Sequence, residues 1–163
     1  MTSGILLALA LVTITFVGFV WRKASQRYPH RGIHPSDLER FLKVLLSRGL
    51  DGGTMVVDLA PVAGQKRFIQ FERYPGRGKA GIRFGFPKAP WAQNYYGVLT
   101  EWLREHSIEH YTRATGVESV PEFTFVDFGQ DTEAAKRFTE RVLYDVMGLT
   151  ATDVVEVSFG NVD

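Results

Sequence analysis

A chain of 163 residues, 45% hydrophobic and 23% charged, holds one ordinary domain once an apolar N-terminus is set aside, not two. Cysteine is absent, which excludes disulfides, thiolate zinc sites and cysteine nucleophiles. The formal charge of +1 conceals an asymmetry, because residues 1–90 carry 14 Lys/Arg and 5 Asp/Glu whereas residues 91–163 carry 5 and 13. So acidic a half opposes phosphates and disfavours nucleic acid as a partner. The basic half suits a membrane-facing collar, or a side facing anionic lipid or an acidic protein.

Residues 1–21 contain no charged side chain, and 4–21 are predominantly apolar. As a helix, that run spans about 27 Å, close to a hydrocarbon core of roughly 30 Å. Trp21 stands where an interfacial aromatic would anchor the end. A cleaved signal would start with basic residues and place small ones before the cut. Here no Lys or Arg precedes the run, and cleavage after Ala24 would put Arg22 at a small-residue position. The expectation is a transmembrane signal anchor over 1–21. Arg22, Lys23, Arg27 and Arg31 follow it, and positive flanks stay cytoplasmic. The N-terminus is therefore expected outside, a basic juxtamembrane stalk over 22–35, and a cytoplasmic domain over 36–163.

The next element is a helix over 36–48. Ser36 and Glu39 have capping-box spacing, Leu38, Phe41, Leu42 and Leu45 share a face, and Gly49 supplies a stop. Asp51, Gly52 and Gly53 read as a turn. Strands are expected over 54–60, 67–74 and 81–86, joined by short Gly- and Pro-containing connections as in an antiparallel meander. A second helix is expected over 91–110, with Tyr95, Leu99, Trp102 and His106 on one stripe. A strand over 122–128 follows, with Phe123, Phe125 and Val126 packing. The clearest helix covers 131–147: Asp131 can cap it, Ala135, Phe138, Val142 and Val146 line it, and Gly148 ends it. Residues 153–159 alternate as a last strand, with Val155, Val157 and Phe159 on one side.

The order α-β-β-β-α-β-α-β indicates an α+β fold, helices packed on one face of a mainly antiparallel sheet. In element order it resembles the small α/β folds of secretion-chaperone type, which serve as protein-binding modules. No residue is carried over from that resemblance.

Two motifs bear on chemistry. Gly76, Gly78 and Gly81 satisfy G-x-G-x-x-G, but the alternating run after Gly81 reads as a strand, not the helix that a pyrophosphate site requires. A hairpin turn is expected instead, with Arg77, Lys79 and Arg83 as possible contacts for lipid headgroups or a partner. His106, Glu109 and His110 form an H-x-x-E-H match. On a helix, the two histidines would share a face and could hold zinc while Glu109 activates its water. Over these five residues the chain resembles the inverzincin metalloproteases. The plainer alternative is a half-buried histidine at a helix C-terminus. Asp127, Asp131 and Glu133 cluster before the last helix, where acids are favoured without any metal.

The reading that follows is a non-enzymatic, membrane-anchored accessory subunit that binds protein partners in a membrane complex, with no cofactor. The alternatives are a membrane-tethered metal-dependent hydrolase using His106, Glu109 and His110, and a sensor of anionic lipid surfaces.

Overall fold

The computed structural model describes residues 27–62, 65–76 and 78–162. Strand β1 (Arg27–Ile33) leads through a short 3-10 turn (Pro35–Asp37) into helix α1 (Leu38–Arg48). Strands β2 (Gly49–Val62), β3 (Gln65–Tyr74) and β4 (Gly81–Lys88) form the expected meander. Another 3-10 turn (Pro90–Ala92) precedes helix α2 (Gln93–Glu105), which is followed by strands β5 (Tyr111–Val117) and β6 (Val120–Gly129). Helix α3 (Thr132–Arg141) widens into a π-helical turn (Val142–Val146), and β7 (Val155–Val162) closes the fold.

The strands form one sheet in the order β1-β7-β2-β3-β4-β6-β5, with every pairing antiparallel. The α+β class and the helix-covered antiparallel sheet are thus as expected. One sheet face supplies Met55, Val57, Ile69, Phe71, Phe84 and Val157 to the core. Leu42 and Leu45 of α1, Leu99 and Leu103 of α2, and Ala135 of α3 are buried against that face. Each large apolar side chain removed from water contributes about 1.5–3 kcal/mol, so this layer carries most of the fold's stability.

Several local expectations need correction. The capping box at Ser36 and Glu39 does not form. The α1 N-cap is Asp37, which makes no side-chain cap bond, and Glu39 pairs with Lys43 at 2.8 Å. Ser36 instead contacts the His34 ring at 2.8 Å, whose other nitrogen meets the Ala151 carbonyl at 2.9 Å. Asp51, Gly52 and Gly53 do not reverse the chain. They lie inside β2, where the register against β7 shifts between Gly49 and Thr54. Helix α2 stops at Glu105, not 110, and buries Tyr96 rather than Tyr95 beside Leu99 and Trp102.

That stop has a physical cause. Ser107 takes the left-handed conformation at φ 52°, its N–H bonds the Arg104 carbonyl at 3.1 Å, and the Ile108 N–H bonds the Leu103 carbonyl at 2.9 Å. This is a Schellman termination with serine where glycine usually stands.

Residues 27–33, inside the span read as a stalk, form a strand of the sheet. The apolar run over 1–21 lies outside the described residues. Among the described residues, no helix is long and apolar enough to cross a membrane.

Candidate interaction surface

The helices cover one face of the sheet; the other carries a second, separate set of side chains. Strand alternation places Glu72 (β3), Arg83 (β4), Phe123, Phe125 and Asp127 (β6), and Tyr111 and Arg113 (β5) on that open face, as their cross-strand pairings require. Phe125 is only 8% exposed yet stands apart from the helix-side core. Its ring is stacked with Phe123 at 5.7 Å and tilted against Tyr111 at 5.5 Å. The Arg83 guanidinium lies 4.6 Å from its centroid and that of Arg113 5.8 Å. Gly85 makes this close approach possible: a Cβ there would meet the Phe125 ring at 3.1 Å. Arginine stacked on an aromatic ring is attracted by the ring quadrupole, more strongly where water is excluded.

Arg83 anchors the arrangement. Its Nε and Nη2 donate to Glu72 Oε2 at 3.2 and 3.0 Å, and its Nη1 donates to Tyr111 Oη at 3.3 Å. Tyr111 Oη in turn donates to Asp127 Oδ1 at 3.3 Å. Burial alone would lower the Arg83 pKa. The Tyr111 hydroxyl and the Glu72 carboxylate outweigh it and hold the pKa above its ordinary value. Nearby, burial first and then the Asp127 charge push the Tyr74 hydroxyl upward. Four strands are thereby tied by one polar network over the open face.

The two sheet edges differ. At β1, Pro29 removes a backbone donor and the pairing with β7 shifts register twice, so that edge is blunted. At β5 every residue from Tyr111 to Gly116 is exposed, and residues 111–114 pair regularly with β6. Among the described residues no further strand pairs with its outer side, which makes it the kind of edge to which an extended peptide adds as a further strand.

The residues singled out in the sequence fall in different places. Trp21, Arg22, Lys23 and Arg77 lie outside the described residues. Arg27 begins β1, and Arg31 in the same strand is exposed and pairs with Glu156 at 3.0 Å. Lys79 is exposed in the β3–β4 connection, where Gly78 adopts φ 87° and a strand follows the glycines, as expected of a hairpin. Arg83, grouped with Lys79 as a surface contact, is only 9% exposed and internally paired. Its position between Ile82 and Phe84 was the available signal, since strand alternation turns it away from the helix-side core.

His106 and His110 do not share a helix face, because α2 ends before them. His106 Nδ1 is 2.8 Å from the Trp102 carbonyl and His110 Nδ1 is 2.8 Å from the Ile108 carbonyl. The ring of His106 also lies 4.5 Å from that of Trp102. Among the described residues, no three His, Asp or Glu side chains are gathered to hold a metal ion. Asp131 serves as the α3 cap, accepting from the Ala134 N–H at 2.8 Å, and Glu133 pairs with Arg137.

No protein-family model, curated protein or solved structure matches the chain.

Proposed function

We propose that this chain is a non-enzymatic, membrane-anchored accessory subunit whose cytoplasmic α+β domain captures an extended segment of a protein partner along β5. The observation that carries the reading is the β5 edge beside the Phe125 cluster. An added strand would gain main-chain hydrogen bonds from β5 and side-chain contacts with Tyr111 and Arg113. Arg113 is exposed at this edge, so a partner segment with a carboxylate opposite it would be preferred. The apolar run over 1–21 and the basic residues after it support the anchor and its orientation.

The test is affinity purification from gently solubilised membranes, comparing the native chain with Arg113→Glu. A partner retained by the native chain and lost from a variant that still melts normally supports the reading. Identical co-purifying proteins in equal amounts would count against β5 as the capture edge.

A further inference from the structure

The described chain begins at Arg27, which pairs with Phe159 in β7. From there the register fixes which parts of the fold share an end of the sheet. Gly49 pairs with Val162, Thr54 with Glu72, Tyr74 with Gly81, and Ile82 with Gly129. One end therefore gathers the start of β1, the α1–β2 junction, the β3–β4 hairpin and the last residues of β6 and β7. Val62, the last residue of β2, and Val154, just before β7, stand at the opposite end.

The entry end carries an exposed apolar side chain, Leu50 at 52%, and the exposed cations Arg48 and Lys79. Its acids are largely engaged: Asp51 pairs with Arg73 at 2.5 Å, Asp131 caps α3 and Glu133 pairs with Arg137. Glu105 and Glu109 stand towards the β5 corner, where α2 ends. The end is thus basic and apolar on its β2–β4 side and acidic at the β5 corner.

We infer that this entry end docks on an anionic bilayer surface, with Arg48 and Lys79 against the headgroups and the exposed Leu50 inserted into it. The inference rests on the proposed anchor over 1–21. If Trp21 lies at the interface, the six residues to Arg27 reach at most about 20 Å when fully extended. Leu50 and Val62, twelve residues apart along β2, are separated by on the order of 40 Å. So short a tether keeps the entry end within reach of the lipid. Arg22 and Lys23, between the apolar run and β1 in the sequence, carry charge of the same sign. Each basic group near an anionic leaflet favours docking, and salt weakens the effect.

The absence of cysteine allows single-site labelling of the full chain. Leu50→Cys and Val62→Cys would each carry a fluorophore, in nanodiscs of phosphatidylcholine with or without phosphatidylserine and a headgroup-attached quencher. The expected result is stronger quenching at position 50 than at 62 in the anionic discs. Adding Arg48→Glu or Lys79→Glu should lower the docked population by about fivefold or more. Equal quenching at both positions would overturn the inference, as would quenching at 50 that ignores lipid charge and both reversals. Co-flotation separates the two claims: a chain that floats without docking retains its anchor, whereas one that fails to float loses the anchor and this inference together.

Discussion

The Arg83 guanidinium on β4 donates to the Tyr111 hydroxyl on β5 at 3.3 Å, reaching across β6, which lies between them. An edge strand exposed along most of its length has little burial to hold it. This bond, with Tyr111 to Asp127, fastens its first residue. Tyr111→Phe keeps the ring against Phe125 and deletes the hydroxyl. The expected cost is about 1 kcal/mol of global stability. Faster amide exchange confined to residues 111–117 is the sharper readout. Unchanged exchange in β5 would mean that pairing with β6 alone holds the edge.

A second network contributes to the pH response. Tyr96 Oη donates to Glu122 Oε1 at 3.0 Å, Thr124 Oγ1 donates to Tyr96 Oη at 3.0 Å, and Lys88 Nζ sits 3.0 Å from Glu122 Oε1. The Lys88 hydrogen bond, then that of Tyr96, holds the Glu122 carboxyl below its ordinary pKa. A depressed carboxyl contributes stability above its unfolded pKa of about 4.3 and loses it as pH falls through the folded value. Burial raises the Tyr96 pKa, so its contribution is complete below about 10 and lost as pH rises through the folded value. Melting curves across pH should show Glu122→Gln flattening the acid limb and Tyr96→Phe flattening the alkaline one. A limb of unchanged slope would remove that group from the response.

Most of this fold is written in hydrophobic period. Val155 and Val157 mark β7, and Leu38, Leu42 and Leu45 mark α1, because one side of each element is buried. The strands missed are the two edges. Pro29 disguises β1, and β5 buries too little to impose alternation on Tyr-Thr-Arg-Ala-Thr-Gly-Val. The overrun of α2 has a different origin, since Ser107 in the left-handed position gives no glycine to read. The open face was half legible. Phe123 and Phe125 announced a strand, but only the sheet order brings Arg83 and Tyr111 to the same ring.

On the helix side, Phe138 of α3 meets Phe84 at 5.0 Å, Phe128 at 5.2 Å and Trp102 at 6.0 Å between ring centroids, and is 7% exposed. It joins β4, β6 and α2 at one point. Phe138→Ala should destabilise the fold by about 3–5 kcal/mol in chemical denaturation. A loss no greater than that of an exposed control would mean that the surrounding rings close over the gap.

Orientation can be tested separately from binding. With Arg22, Lys23, Arg27 and Arg31 all following the apolar run, a reporter fused after residue 163 should behave as cytoplasmic. Activity of a reporter that works only outside the cytoplasm would reverse the orientation. Recovery of a mature form lacking residues 1–24 would replace the anchor with a signal peptide.

The last prediction separates a binding module from a hydrolase. Zinc held by His106 and His110 would require a ring nitrogen from each, converging with a third ligand at about 2 Å. Here the helix ends at Glu105, the left-handed Ser107 turns the chain between the two histidines, and among the described residues no third His, Asp or Glu side chain gathers with them. The purified protein should therefore contain well under one zinc per chain, and chelator should leave its melting temperature unchanged. His106→Gln should cost less stability than Trp102→Ala, because Trp102 is 7% exposed and packs on Phe138, whereas His106 is exposed at the helix end. Stoichiometric zinc that is released when either histidine is replaced would sink this expectation and restore the hydrolase, since a retained ion needs several protein ligands.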